Sequence, residues 1–194
     1  MILLLDVMET LVYDPFPVEV PAFFGTTLPE LLALKDPQAW QRFEAGEYDE
    51  ATFAVNYFQD RRPLDVEGFK ATLAGAYRFL PGIEELLGEL QGAGVAMHAL
   101  SNYPPWYALI EERLGLSRWV SWSYVSCRTG VRKPDPEAFL APARDLGVAP
   151  RECLFVDDRA DNCAGAEAVG MFAHHFRDAS GLRRELCLRG VLRE

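Results

Sequence analysis

The amino-acid sequence predicts an α/β protein, with a doubly wound, mostly parallel sheet and a small all-helical cap inserted after the first strand. Three observations predict this fold. Short apolar runs end in polar residues, which is typical of strands buried on both faces of a parallel sheet. Amphipathic helical patterns that end at glycines alternate with these runs, as in doubly wound sheets. The stretch from residue 16 to residue 77 has helical patterns only.

Four apolar runs predict the strands, and the segments between them predict core helices. The strands are expected at 2–5, 94–100, 153–156 and 171–176, and the core helices at 81–91, 136–146 and 160–169. Ligands of such sheets bind beyond the carboxyl ends of the strands. The polar residues that end three runs, at Asp6, Ser101 and Asp157-Asp158, are therefore expected to lie together.

Residues 16–77 are predicted to form the helical cap, and residues 1–15 and 78–194 the catalytic core. Helical patterns within the cap lie at 28–34, 37–45, 50–59 and 66–77. No apolar run in this stretch has the pattern of a strand, so we expect it to pack against the core as a separate helical layer.

Composition narrows the classes of function. The chain has 19 basic and 29 acidic residues, a net charge of -10, which disfavours nucleic acid and anionic membranes as partners. The apolar start is too short for a signal peptide or a membrane span. Four cysteines without a CxxC pair indicate reduced thiols. We expect a cytoplasmic monomer or homodimer that acts on a small molecule.

Four short segments occur in a fixed order at the predicted strand ends and at the start of a helix. They are Asp6-Val7-Met8-Glu9-Thr10-Leu11, Leu100-Ser101-Asn102, Arg132-Lys133-Pro134-Asp135-Pro136 and Phe155-Val156-Asp157-Asp158, the last followed by Asn162. Together they resemble the four motifs of the haloacid dehalogenase superfamily. The resemblance covers essentially the whole chain and implies a Rossmann-like core with a helical cap.

The resemblance also implies a mechanism. Asp6 would be the nucleophile that forms an aspartyl phosphate, with Lys133 and Ser101 as further catalytic residues. Mg²⁺ prefers hard oxygen ligands, and the resemblance places it on Asp6, the backbone carbonyl of Met8 and Asp158, with Asp157 and Asn162 behind them.

Met8 is the main departure from the superfamily pattern. Phosphatases of this family usually have a second aspartate there, which protonates the leaving group. A methionine thioether cannot transfer a proton, so the sequence leaves the proton donor open. Glu9 is one alternative, although in an extended segment its side chain would point away from that of Met8.

Within the superfamily the chain is similar to plant-type flavin mononucleotide hydrolases. The shared segments include Asp14-Pro15-Phe16, Val20-Pro21-Ala22-Phe23-Phe24-Gly25 and Asn102-Tyr103-Pro104-Pro105-Trp106-Tyr107. This similarity implies a small phosphorylated metabolite, such as a flavin phosphate, as substrate. The residues expected to bind it are Ser101, Asn102, Tyr103, Trp106 and Phe24. These aromatics could equally pack the cap against the core.

Two other functions stay open at this stage. One is a dehalogenase-like or carbon–phosphorus-cleaving hydrolase of the same superfamily, in which the second aspartate is also missing. The other is a catalytically weak module that binds phosphate. The Asp157-Asp158 pair favours a cation site over the metal-free dehalogenase branch, because clustered carboxylates require a positive partner.

Overall fold

A five-stranded parallel sheet forms the centre of the molecule. The computed structural model describes residues 1–193, and its sheet has the strand order β3-β2-β1-β4-β5 with every neighbouring pair parallel. The strands are β1 (Ile2–Leu5), β2 (Met97–Ser101), β3 (Ser121–Val125), β4 (Cys153–Asp157) and β5 (Phe172–His175). The predicted α/β class is confirmed.

Helices flank this sheet and fill the segment after β1. They are α1 (Glu19–Phe23), α2 (Leu28–Leu34), α3 (Ala39–Glu44), α4 (Glu50–Asn56), α5 (Val66–Ala76), α6 (Ile83–Gly92), α7 (Tyr107–Leu114), α8 (Ser126–Thr129), α9 (Pro136–Asp145), α10 (Ala160–Ala168) and α11 (Ala179–Leu188).

The apolar side chains of β1 alternate between the two faces of the sheet, as the period of a strand requires. Leu3 and Leu5 pack in one core with residues of α6, α7 and α11. Leu4 packs in a second core with residues of α9 and α10. Helices therefore cover both faces, which is why β1 has no polar residue before Asp6.

Helices α1–α5 lie between β1 and β2 in the chain and contain no strand, as the sequence predicted. Their buried side chains, among them Phe43, Phe53 and Phe69, continue the core that begins at Leu3 and Leu5. The helical layer contacts the core through α7 and α8. The exact boundaries of the cap, at residues 16 and 77, stay a prediction.

Some elements had no clear signal in the sequence. Strand β3 is an edge strand in which serine alternates with aromatic residues, and its first residue is exposed. Such a strand lacks the continuous apolar run that marks β1 and β4. Helices α1, α7, α8 and α11 were also not predicted.

The described residues also bear on membrane association and on the state of the cysteines. No helix within residues 1–193 is long and apolar enough to cross a membrane. The four cysteines are free thiols, and two of them, Cys153 and Cys163, are buried.

Candidate active site

The polar residues that follow β1, β2 and β4 lie together, because these three strands are neighbours in the sheet and all run in the same direction. Asp6 follows the last residue of β1, Ser101 ends β2 and Asp157 ends β4. The sequence prediction that these strand ends meet is confirmed by the order of the strands.

Lys133 links two of these strand ends, although it lies 127 positions after Asp6 in the chain. Its ammonium Nζ donates to Asp6 Oδ1 at 2.6 Å and to Asp157 Oδ2 at 2.7 Å. All three side chains are at least nine-tenths buried. Charge-assisted hydrogen bonds of this length hold the carboxylates in fixed positions.

The two neighbouring aspartates have different surroundings. Asp157 is fully buried, and its Oδ1 accepts from the backbone N–H of Arg159 and the side chain of Asn162. Together with Lys133 these donors satisfy both of its oxygens. The carboxylate of Asp158 has no hydrogen-bond donor among residues 1–193 and lines an open cleft. Asp158 is thus the carboxylate that remains available to a cation.

The cluster has an excess of negative charge. Oxygens of Asp6, Asp157 and Asp158 lie within 4.8 Å of one another. Three carboxylates and one ammonium leave two negative charges in a largely buried space. Burial raises the pKa of Asp6 above its ordinary range, Lys133 opposes this shift, and Asp157 adds to it. Burial and Asp157 likewise raise the pKa of Asp158. A divalent cation would relieve this repulsion.

The loop after β1 turns back on itself. The carbonyl of Val7 accepts from the backbone N–H groups of Leu11 and Val12, and Glu9 has a φ of 54°. The segment is therefore not extended, and the argument that placed Glu9 opposite Met8 by strand alternation does not apply. Glu9 is exposed, and its Oε1 accepts from the backbone N–H of Asp14.

Thr10, in the same loop, is completely buried between two acidic residues. Its hydroxyl accepts from the backbone N–H of Asp158 at 3.1 Å and lies 3.4 Å from Asp6 Oδ2. Thr10 therefore connects the loop after β1 to the end of β4. This role could not be predicted from the sequence, since threonine is common in turns.

Asn102 holds Lys133 in place. Its side-chain amide donates to the Lys133 carbonyl and accepts from the Lys133 N–H, both at 2.9 Å. Asn102 also lines the cleft. Ser101 is buried at the end of β2 and does not line the cleft in this structure.

A cleft of about 620 Å³ opens above the cluster, between the sheet and the helical layer. This volume is within the usual range for small-molecule sites. Asp6, Met8, Asn102, Lys133, Asp158 and Asn162 lie on its core side. Phe16, Trp40 and Tyr103 supply aromatic surface. Tyr103 is buried and hydrogen-bonded to the hydroxyl of Tyr77 at 2.6 Å.

Two aromatic residues expected at the substrate are instead part of the packing between helices. Trp106 is 4% exposed, its ring lies edge-on to Phe43, Phe53 and Phe69, and its N–H donates to Glu50. Phe24 packs against Tyr57 and Phe58. Neither lines the cleft. Apolar packing accounts for both positions.

Five charged residues of the cleft were given no role from the sequence, and one of them, Arg159, pairs with Asp161. Arg132 and Glu44 form an ion pair on the cleft wall, with Arg132 Nε 2.7 Å from Glu44 Oε1. Lys35 follows α2, and Asp14 follows the loop after β1. Two of them lie in segments that the sequence analysis quoted: Arg132 beside Lys133, and Asp14 before Pro15 and Phe16. Lys35 resembles any lysine at the end of a surface helix, where basic residues are common.

The chain is similar in sequence to known hydrolases. The family model of haloacid dehalogenase-like hydrolases matches residues 15–170. Flavin mononucleotide hydrolase 1 of the Arabidopsis thaliana chloroplast is 45% identical over 190 residues, 98% of this chain and 78% of that protein. The sesquiterpene phosphatase astK of Aspergillus oryzae is 27% identical and covers 82% of this chain and 83% of its own length.

Among solved structures, a Bacteroides thetaiotaomicron enzyme of the same family, in complex with magnesium and inorganic phosphate, superposes with a TM-score of 0.76. The match covers 93% of this chain and 97% of that chain, at 19% identity. This similarity concerns the fold.

Proposed function

We propose that this chain, which belongs to the haloacid dehalogenase-like hydrolase family, is a magnesium-dependent phosphomonoester hydrolase. Asp6 would be its nucleophile. The observation that carries the proposal is the buried ammonium of Lys133 between Asp6 and Asp157, beside the free carboxylate of Asp158.

Magnesium fits the residues of the cluster. The donors are hard oxygens, which Mg²⁺ prefers, and the uncompensated charge of the cluster is two negative charges. Asp6, the backbone carbonyl of Met8 and Asp158 would hold the ion, and Asp157 and Asn162 would support them. Bound there, magnesium would neutralise charge on the transferred phosphoryl group.

The chain's own residues supply the remaining chemistry. Asp6 Oδ1 is fixed by Lys133, whereas Oδ2 has, among residues 1–193, only the long Thr10 contact and is the freer oxygen. Attack of Oδ2 on phosphorus forms an aspartyl phosphate and breaks the bond to the leaving oxygen. Water then attacks the same phosphorus, which releases inorganic phosphate and restores the Asp6 carboxylate. Lys133 offsets negative charge in both steps.

The leaving oxygen needs a proton when it is an alkoxide, and Met8 cannot supply one. We propose that water in the cleft donates this proton; Glu9 and Asp14, which also line the cleft, are the alternatives among the chain's residues. General acid catalysis typically contributes ~10²–10⁴-fold. We therefore expect alkyl phosphates to react more slowly than aryl phosphates, whose phenolates leave without a proton.

The proposed substrate is a small phosphorylated metabolite with a flat aromatic group, of which flavin mononucleotide is the first candidate. Three features support it: the aromatic surface of Phe16, Trp40 and Tyr103, the volume of the cleft, and the plant relative named as a flavin mononucleotide hydrolase. Aromatic surface beside a phosphate site suits a planar heterocycle.

The alternative of a metal-free dehalogenase is disfavoured by the surroundings of Asp158. The Asp158 carboxylate lies beside those of Asp6 and Asp157 and has no hydrogen-bond donor among residues 1–193. The three negative charges repel one another unless a cation binds. A weak phosphate-binding module is disfavoured because the residues expected to act in catalysis lie together. Lys133 donates to Asp6, and oxygens of Asp6 and Asp158 lie within 4.8 Å of each other.

A substrate panel tests the proposal. Flavin mononucleotide, phenyl phosphate and 2-chloropropionate are each incubated with the wild-type protein, in magnesium or in excess chelator. We expect phosphate release from the first two only with magnesium, and no release of chloride. Asp6→Asn should abolish turnover, and the exposed Asp60→Asn should not. Turnover by Asp6→Asn, or full activity in chelator, would refute the proposal.

A further inference from the structure

Four basic side chains line the cleft, and three of them have acidic partners. Lys133 is paired with Asp6 and Asp157, Arg132 with Glu44, and Arg159 with Asp161. The fourth is Lys35, whose ammonium makes no ion pair or hydrogen bond with any residue among 1–193. In a chain with ten more acidic than basic residues, an unpaired cation inside a cleft calls for an explanation.

The position of Lys35 is fixed by its backbone. Its N–H donates to the Leu31 carbonyl at the end of α2, and its carbonyl accepts from the Gln59 side chain. The side chain is half-buried, and its ammonium lies 5.7 Å from the centre of the Phe16 ring. The contact with the Phe16 ring keeps the cation near the aromatic surface of the cleft.

Nearby groups do not neutralise Lys35. Asp36 and Glu44 are close enough to attract its charge, but Asp36 accepts from the backbone N–H of Gln38 and Glu44 is paired with Arg132. Burial lowers the pKa of Lys35. A half-buried ammonium without a partner gains most from a ligand that replaces its lost hydration.

We propose that Lys35 determines substrate specificity by donating to the electron-rich carbonyl edge of the substrate's aromatic group. The inference rests on the proposed function, which places the phosphate at Asp6 and Lys133 on the core side of the cleft. Lys35 belongs to the opposite, helical side, beside Phe16. A planar heterocycle with ring carbonyls, such as the isoalloxazine of a flavin, presents this edge while its face lies against the aromatic surface.

The test compares three ligands. Flavin mononucleotide has both the phosphate and the carbonyl edge, phenyl phosphate has only the phosphate, and riboflavin has only the ring. The variants are Lys35→Met, which keeps the apolar stem, and Lys35→Arg, which keeps the charge. Lys70→Met is the matched control, because Lys70 lies outside the cleft and pairs with Glu50 and Glu67.

We expect Lys35→Met to raise the KM for flavin mononucleotide and the Kd for riboflavin, measured by flavin fluorescence, by about 10-fold, which corresponds to one charge-assisted hydrogen bond. Its kcat, and its kcat/KM for phenyl phosphate, should stay within about twofold of wild type on the same reasoning. Lys35→Arg should restore most of the flavin affinity.

Two other outcomes would overturn the role of Lys35, and a third would refute the flavin substrate. An equal loss on flavin mononucleotide and phenyl phosphate would overturn the proposal and place Lys35 at the phosphate. An unchanged flavin KM and riboflavin Kd would also overturn it. A wild-type protein that hydrolyses phenyl phosphate but neither hydrolyses flavin mononucleotide nor binds riboflavin would instead refute the flavin substrate, and the role of Lys35 with it.

Discussion

Lys133→Met tests whether a single buried cation holds the acidic cluster together. The Lys133 side chain is 2% exposed and makes ion pairs of 2.6 and 2.7 Å with Asp6 and Asp157. Methionine retains the apolar stem, so the change removes charge with little loss of packing. Removing one partner of a buried ion pair costs about 3–5 kcal/mol, because it leaves uncompensated charge behind.

For a chain of this length, 1 kcal/mol shifts Tm by roughly 2–4 °C, so we expect Lys133→Met to lower Tm by about 10 °C without magnesium. The protein should still fold, because domains are typically stable by ~5–15 kcal/mol. The variant leaves three negative charges where wild type leaves two. Magnesium should therefore raise the Tm of the variant more than that of wild type.

The assay is thermal unfolding followed by circular dichroism at pH 7, with and without magnesium. Lys70→Met serves as control, since its ion pairs lie at the surface and such pairs contribute ~0–1 kcal/mol. A Lys133→Met protein that unfolds within 2 °C of wild type (about 1 kcal/mol or less) would refute the reasoning. So would a magnesium-dependent shift smaller than that of wild type.

Three further predictions follow from single positions. Burial raises the pKa of Asp14 to about 6 from its ordinary value of 3.8, so its stabilising protonated form is lost as pH rises through 6. Asp14→Asn cannot ionise, so its free energy of unfolding in urea, relative to that of wild type, should increase by up to about 3 kcal/mol from pH 4 to pH 8. The same difference at both pH values would contradict this. Trp106→Ala should cost about 3–5 kcal/mol of unfolding free energy and leave the KM for flavin mononucleotide within twofold; a selective rise in KM would return Trp106 to the substrate site. Met8→Asp should raise the ratio of alkyl to aryl phosphate turnover by up to ~10²-fold, and an unchanged ratio in a folded, magnesium-bound variant would show that another donor exists.

Much of the fold and of the cluster could be predicted from the sequence, because both depend on local patterns. The buried runs before Asp6 and Asp157 mark strands of a parallel sheet, and the carboxyl ends of such strands meet. The motifs then identified the residues that lie together. The order of the motifs along the chain was enough to predict that these residues lie together, before any contact was known.

The walls of the cleft could not be predicted in the same way. Whether Trp106 faces a ligand or a neighbouring helix depends on how α3, α4 and α5 pack, and its sequence neighbours do not determine this. The partner of Glu44 lies 88 positions further along the chain. Lys35 is distinctive only because the acidic residues near it are engaged elsewhere, which the structure alone reveals.

The most direct test of the central claim is to look for the phosphoryl group on Asp6. A ³²P-labelled phosphomonoester is mixed with the protein and magnesium, and turnover is stopped with acid within milliseconds. We predict label on the precipitated wild-type protein that hydroxylamine releases, as expected of an acyl phosphate, and no label on Asp6→Asn. Equal labelling of Asp6→Asn, or hydroxylamine-resistant label on the wild type, would contradict the account.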